Sequence, residues 1–391
     1  MADAASDQPA AVPVAGGSAG RVLGVVTRYA RLSRIHLAGF VAAGLAAAGG
    51  LIAAVIVLVV PGTNHYRVAE GFAWPGFQVG PMAITPDGRT LYVIGTQSPN
   101  DNSSAYPGPF PPKVVVPISA ASGIAGSPIR IGRQPTALAI SPDGATLYVA
   151  IWARGTLIPI STTTGRPGKP IAVGRDPENL AITPDGKTIY VSEDRGSVTP
   201  VNTLTGHPGK PIRIGGYLGT VAVSPDGATL YVARLPGPDV RAAIVPVSTA
   251  TGRPRKPIRL RESPDHFVVA PDGKTLYVGT RLAPNGQGAV IPVSTATGRP
   301  GRLITISHSL TDLAVAPDGS AVYVTSMAAD GTGTVTSVST TTGTLGTPVL
   351  VGWQPLAIVI APDGRAIYTN AFMGSGAQIS TVTKVKLARL R

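Results

Sequence analysis

The feature that most constrains this chain is a phrase that keeps returning, first seen as Thr85-Pro86-Asp87-Gly88-Arg89-Thr90-Leu91-Tyr92-Val93. Its Pro-Asp-Gly core stands at Pro86-Asp87-Gly88, Pro142-Asp143-Gly144, Pro184-Asp185-Gly186, Pro225-Asp226-Gly227, Pro271-Asp272-Gly273, Pro317-Asp318-Gly319 and Pro362-Asp363-Gly364. A tyrosine follows four residues after each glycine, at 92, 148, 190, 231, 277, 323 and 368, so seven of the eleven tyrosines share one phase. The spacings between the aspartates are 56, 42, 41, 46, 46 and 45 residues, close to the length of a propeller blade. A unit of that size cannot bury its apolar face alone, so successive copies must stack into one continuous fold. This overrides the two or three domains that 391 residues would otherwise suggest.

Each copy reads as four short strands. In the second copy these are residues 138–141, 146–151, 156–161 and 170–174, separated by Pro-Asp-Gly and Thr-Gly turns. Aspartate in such a turn can accept hydrogen bonds from nearby backbone, and glycine accepts positive φ. The fourth strand recurs as residues 128–132, 170–174, 211–215, 257–261, 303–307 and 348–352. A seventh candidate, Gly76-Phe77-Gln78-Val79-Gly80, precedes the first turn, while the last copy has room only for a second and a third strand. The expected fold is therefore all-β: a seven-bladed β-propeller of four-stranded blades over residues 75–391, its last blade completed by residues 76–80. Closure of this kind removes the open edges at which strands aggregate.

The chain before the repeats divides by composition. Residues 1–36 form a tail whose second half carries Arg21, Arg28, Arg31 and Arg34 without an acid. Residues 37–60 carry no charge at all. As a helix this run would be about 36 Å long, enough for a ~30 Å hydrocarbon core. It is long for a signal peptide and ends in Val59-Val60-Pro61-Gly62, a poor cleavage site. The reading is a cytoplasmic basic tail (1–36), a transmembrane signal anchor (37–60) that engages the cytoplasmic membrane, a linker (61–74), and a propeller on the extracytoplasmic side.

The absence of cysteine excludes a disulfide framework, a Cys-ligated metal and a thiol nucleophile. A net charge of +13 raises nucleic acid as a partner. The basic residues are scattered among turns, however, with no basic helix or RNA-type aromatic motif, so no nucleic acid is expected. Anionic lipid or an envelope polymer suits the charge better. Arg166, Lys169, Lys210, Arg253, Arg255, Lys256, Arg299 and Arg302 all flank turns between third and fourth strands, which makes one face of the ring basic. No nucleophile elbow, His-Glu-x-x-His or phosphate-binding Gly-rich loop occurs, and no cofactor or metal is expected.

Tyr-Val at 92–93, 148–149, 190–191, 231–232, 277–278 and 323–324, with Tyr368-Thr369-Asn370 in the last copy, resembles the YVTN family of β-propeller repeats. The Thr-Gly turn before the fourth strand, as at Thr163-Thr164-Gly165 and Ala296-Thr297-Gly298, also matches, and the resemblance spans about residues 75–388. It departs in the third strand, where Pro-Ile-Ser-Thr or Pro-Val-Ser-Thr stands in place of Val-Ile-Asp. The resemblance implies a propeller related in shape to the lactonase-like ones. It leaves function open, because such folds host many functions.

In a propeller the Pro-Asp-Gly and Thr-Gly turns share one face. The loops from strand four to the next strand one, and from strand two to strand three, share the other. The repeats differ on this second face, so specificity is sought there. Its candidates for ligand binding at the channel mouth are Arg133, Arg175, Glu178, Asn179, Asp194, Asp265, His266, His308, Asp312 and Trp353. Acids and histidines among them could bind a cation or act as a general base, although solvated charges at a ring mouth need no ligand. The expected function is a membrane-anchored binding or scaffold module. A lactonase-like hydrolase with its site at the channel mouth is the alternative.

Overall fold

The computed structural model describes residues 40–48, 51–58, 69–75, 77–97, 113–237, 240–282, 286–372 and 379–387. The strands before the repeats are β1 (Phe40–Ala48), β2 (Leu51–Leu58) and β3 (Ala69–Pro75). Five four-stranded sheets follow. They are β4 (Phe77–Ile84), β5 (Thr90–Gln97), β6 (Lys113–Ser119) and β7 (Ile129–Gly132); then β8 (Pro135–Ile140), β9 (Thr146–Ile151), β10 (Thr156–Ser161) and β11 (Ile171–Ala172); then β12 (Pro177–Ile182), β13 (Thr188–Glu193), β14 (Ser197–Asn202) and β15 (Ile212–Arg213). The fourth is β16 (Leu218–Val223), β17 (Thr229–Arg234), β18 (Ala243–Ser248) and β19 (Ile258–Arg259), and the fifth β20 (His266–Val269), β21 (Thr275–Leu282), β22 (Gln287–Ser294) and β23 (Ile304–Ile306). The remaining strands, β24 (Ser309–Val315), β25 (Ala321–Met327), β26 (Thr332–Ser339), β27 (Val349–Ile360), β28 (Ala366–Phe372) and β29 (Ile379–Lys386), join β1–β3 in one nine-stranded sheet. This is an all-β propeller.

Three sequence expectations are corrected. The first is the number of blades: the described residues form six sheets, not seven. The cause is β27, a single strand of 12 residues. Its first part pairs with β26 and its second with β28, so two copies of the repeat share one sheet. Gly352 (φ 122) and Gln354 (φ 47) bend β27 without interrupting it.

The second correction is the closing strand. Residues 77–84 are the first strand of the first copy, paired with β5. The strand that completes the last copy is β3, paired with β29 from Pro75↔Ile379 to Ala69↔Val385. Part of the expected linker is thus a strand.

The third is the transmembrane helix. Residues 40–48 and 51–58 pair as antiparallel strands, and β2 continues the ladder of β3 from Val55↔Phe72 to Leu58↔Ala69. The run ends in β-branched residues, which favour strands, and the sheet edge supplies the backbone partners. Among the described residues, no helix is long and apolar enough to cross a membrane. The tail of residues 1–36 and residues 98–112 lie outside the described residues.

In all seven turns of the repeated phrase the aspartate Oδ1 accepts the N–H two residues on; in four of them a Thr or Ser two residues before also donates to it, and Ala270, Ala316 and Ala361 stand there in the other three. The Oγ1 of Thr85 donates to Oδ1 of Asp87 (2.5 Å), and the same oxygen accepts the N–H of Arg89 (3.0 Å). Gly88 has φ 70, which a side chain would resist. A Cβ on Gly144 would meet the Pro86 ring at 3.3 Å, and one on Gly186 the Pro142 ring at 3.3 Å. Each turn therefore rests on the proline of the turn before it.

The core lies between sheets. Leu147, Val149, Ile158 and Ile160 of the second copy pack on Tyr92, Ile94, Val115 and Ile129 of the first. Equivalent clusters join the other neighbours, including the last copy to the first through Tyr368, Val382, Leu91 and Val116. Leu91, Leu147, Leu230 and Leu276 are fully buried, each contributing about 1.5–3 kcal/mol. Sandwiching between sheets also explains why second strands are apolar on both faces.

The third strands carry Pro117, Pro159, Pro200, Pro246 and Pro292 in mid-strand. Pro159 pairs with Tyr148 on one side, and its carbonyl accepts the Gly168 N–H (2.7 Å) on the other. The missing N–H therefore faces the fourth strand. That ladder has only the pairs Thr156↔Ala172 and Leu157↔Ile171, so no ladder bond is lost.

Candidate functional site at the ring mouth

The first strands β4, β8, β12, β16, β20, β24 and the second part of β27 each contact the next around the axis, and β27 contacts β4. Several side chains tie these neighbours together. Thr136 Oγ1 donates to the Pro177 carbonyl (2.7 Å) and Thr220 Oγ1 to that of Asp265 (3.2 Å). Asn370 Nδ2 donates to the Gly80 carbonyl (2.7 Å), and Asn370 Oδ1 accepts the Ala357 N–H (2.7 Å).

A backbone device shapes the mouth. The carbonyl of Gln134 accepts the N–H of Trp152 (2.9 Å), that of Asp176 the N–H of Asp194 (3.1 Å), and that of Tyr217 the N–H of Leu235 (2.8 Å). In each case the residue nine before the turn aspartate holds the residue nine after it. Among the described residues, Gln134 (φ 54), Asp176 (φ 55) and Gln354 (φ 47) are the non-glycine residues with positive φ, and each precedes a proline. Two residues further on the ladders slip: register shifts occur between Pro135 and Ala137, Pro177 and Asn179, Leu218 and Val221, and Leu310 and Asp312. Such bulges re-aim side chains. The position seven before the turn aspartate holds Gly80, Thr136, Glu178, Gly219, Asp265, Thr311 and Leu356, that is two glycines, two threonines, two acids and a leucine.

The expected site residues fall into two groups and several isolated positions. Glu178, Asp194 and Asp176 cluster on β12 and the loop after β13. Burial raises the pKa of Glu178 above the usual carboxylate value, and the charges of Asp194 and Asp176 raise it further. Arg195 Nε lies 3.5 Å from Asp176 Oδ2. Asn179 beside them uses its backbone N–H on Ser192 Oγ (3.1 Å).

The second group is Asp265, His266 and Asp312, where β20 meets β24. His266 Nδ1 lies 3.6 Å from Asp312 Oδ1. Asp312 Oδ1 also accepts the Leu313 N–H (2.8 Å), and Oδ2 accepts the Ile358 N–H (3.0 Å). Burial raises the Asp312 pKa, against the lowering pull of His266 and of these two backbone donors. Asp312 is thus a clasp between β24 and β27 as much as a mouth residue.

Arg133 and Arg175 are exposed and belong to neither group. His308 is half-buried and holds Gly288 through its carbonyl (2.7 Å). Trp353 packs its indole on Gly331, where a Cβ would collide with it. Its Nε1 is buried without a hydrogen-bond partner among the described residues. The exposed aromatics at the mouth are instead Trp152 (38%) and Tyr217 (53%), with Leu356 (49%) as an exposed aliphatic neighbour in type. Glu193 proves structural: it is buried and accepts from Ser197 Oγ (2.8 Å) and Thr199 Oγ1 (2.5 Å). Among the described residues, no group of three or more acids and histidines could hold a metal ion.

No protein-family model matches the chain, and no curated protein matches it. Solved structures do. The chain is similar to hydrazine synthase of Kuenenia stuttgartiensis at 26% identity, over 60% of this chain and 73% of that one, with a TM-score of 0.55. It is also similar to a chain of a mitotic checkpoint complex at 14% identity, over 81% of this chain and 90% of that one, with a TM-score of 0.64. These likenesses support the β-propeller fold.

Proposed function

We propose that this chain is a binding module of the YVTN-type β-propeller class, with its ligand seated at the ring mouth. The observation that carries the reading is the contrast between the two faces. One repeats in all seven copies a turn whose aspartate accepts the N–H two residues on. The other locks its backbone in the same way in three copies, yet its equivalent position holds glycine, threonine, an acid or leucine according to the copy. Exposed Trp152 and Tyr217 supply rigid apolar area, and Glu178 with its neighbours supplies charge. That combination suits recognition of a protein or glycan surface better than enclosure of a small molecule.

The test is a glycan and peptide array probed with the purified protein, then repeated with Trp152→Ala, Tyr217→Ala and Glu178→Gln. Loss of a wild-type signal by at least tenfold in these variants, with Arg166→Gln on the opposite face unchanged, is the expected result. A signal that survives all three mouth substitutions overturns the assignment.

A lactonase-like hydrolase is the second reading, favoured by His266 beside Asp312. The two backbone bonds that Asp312 accepts make it the weaker one, because a clasp already accounts for the carboxylate. We also infer that the protein works beside an anionic membrane or envelope surface; its net charge of +13 supports this, and co-sedimentation with anionic against neutral vesicles tests it.

A further inference from the structure

We propose that the seam between the last and first copies of the repeat, on the turn face, binds a phosphomonoester group. Every seam juxtaposes the tyrosine of one copy with the third-strand turn of the next. Opposite that tyrosine most copies carry proline, as in Tyr92↔Pro117 and Tyr148↔Pro159. The last copy has Tyr368↔Lys384. The Lys384 ammonium lies 5.6 Å from the centre of the Tyr368 ring and donates to the Ala120 carbonyl (2.9 Å). Both contacts orient it.

Ala120 is itself a departure. Its counterparts Thr162, Thr203, Thr249, Thr295 and Thr340 each donate to a turn-glycine carbonyl at 2.6–2.8 Å. Alanine removes that side chain at the closing seam. The cavity there is about 780 Å³, against about 510 Å³ at the next seam. The smaller cavity is lined by Asp87 and Asp143 and, among the described residues, by no cation. The larger one gathers Arg89, Arg365, Lys384 and Lys386 against Asp87 and Asp363. The two turn positions that supply Arg89 and Arg365 are cationic in both neighbours only here; elsewhere one of the pair is Ala145, Ala228 or Ser320.

The carboxylates are already engaged. Asp87 accepts from Thr85 and Arg89, and Asp363 accepts the Arg365 N–H (2.9 Å). Among the described lining residues, four cations face two acids. A phosphomonoester carries about −1.5 to −2 near pH 7 and offers three acceptor oxygens for charge-assisted bonds. The rest of the cavity accommodates the remainder of the molecule, its size falling in the range of ligand pockets.

The experiment uses the purified full chain at constant ionic strength. Glycerol 3-phosphate is titrated while the melting temperature is followed. In parallel, sedimentation is measured with phosphatidylcholine vesicles containing either phosphatidic acid or phosphatidylglycerol. A saturable rise in melting temperature supports the site with a soluble ligand. Binding to phosphatidic acid vesicles over phosphatidylglycerol vesicles supports it with a lipid headgroup. In either case Lys384→Met should weaken the response at least tenfold. Should that variant misfold, the exposed rim pair Arg365→Gln with Lys386→Gln should do the same. No saturable response in either arm, equal binding to the two lipids, or an unchanged response in the variants overturns the proposal.

Discussion

Gln134, Asp176 and Gln354 hold a backbone conformation that L-residues adopt at a cost of about 1–2 kcal/mol. The surroundings impose it: Pro135, Pro177 and Pro355 follow directly, and the first two carbonyls must point at Trp152 and Asp194. Glycine would meet the same geometry without the clash at Cβ, though it has more freedom to lose on folding. Gln134→Gly should therefore raise stability by about 0.5–1 kcal/mol, and Gln134→Val should lower it by more than 1 kcal/mol. Urea denaturation with an unchanged slope is the measurement; a neutral Gln134→Val would show that the left-handed carbonyl lock is not what holds the mouth. The residue types of the mouth were readable in the sequence. This geometry was not, because a residue before proline is expected in the extended region. Nor could spacing tell that Glu178 would gather with Asp194 while Asp312 turned to Ile358, since those contacts depend on which way each bulge rotates its side chain.

At the scale of elements, the strand pattern was legible because period, turn residues and apolar runs agreed with one another. It failed where the pattern was locally ambiguous. Residues 37–60 satisfy the hydropathy of a span, yet the same residues can pair with an open ladder, and in the structure β2 does so through β3. The closing strand was sought beside the first Pro-Asp-Gly turn because Gly76-Phe77-Gln78-Val79-Gly80 looks like the other fourth strands; its ladder partner is β5 instead. Likewise nothing in the residues 349–360 announces that strand pairing continues past Gly352. The consequence concerns β3. Without it, β29 presents an unpaired edge, a template for association between chains. A chain lacking residues 1–60 keeps β3 over β29 and should melt higher and aggregate less than one that loses β3 as well. One lacking residues 1–75 should melt at a lower temperature and aggregate with increasing concentration. Light scattering and calorimetry compare the two, and equal behaviour would mean that β3 does not complete the last copy.

The repeated phrase sets how the whole ring responds to pH. Tyr92 and Tyr368 donate their hydroxyls to the Thr162 and Ala120 carbonyls of the next copy (3.4 and 3.1 Å). Tyr92, Tyr148, Tyr190, Tyr231 and Tyr277 all have their pKa raised above the ordinary 10.0, burial being the first cause in each. A raised phenol pKa means the unfolded chain loses its proton first as pH climbs. The folded state then binds more protons, and stability falls with rising pH. The contribution is fully present below about pH 10 and is lost through the raised folded values. At the other end, Asp87, Asp143, Asp185 and Asp226 have lowered pKa values, first because Thr85, Ser141, Thr183 and Ser224 donate to them. Their contribution is present above the ordinary carboxylate value and lost as pH falls through the lowered one. The expected profile is a plateau bounded by acid and alkaline losses. On the alkaline side the tyrosines lie at seams between sheets, so ionising one weakens the contacts of its neighbours and the losses should merge into a single transition. Melting temperature from about pH 7 to 12, followed together with tyrosinate absorbance, distinguishes this from ordinary surface phenols. Coincident alkaline unfolding and tyrosinate formation is the expected result. Tyrosinate appearing near pH 10 in a chain that stays folded would separate the phase of the tyrosines from the integrity of the seams, and Tyr92→Phe would then cost the ring nothing.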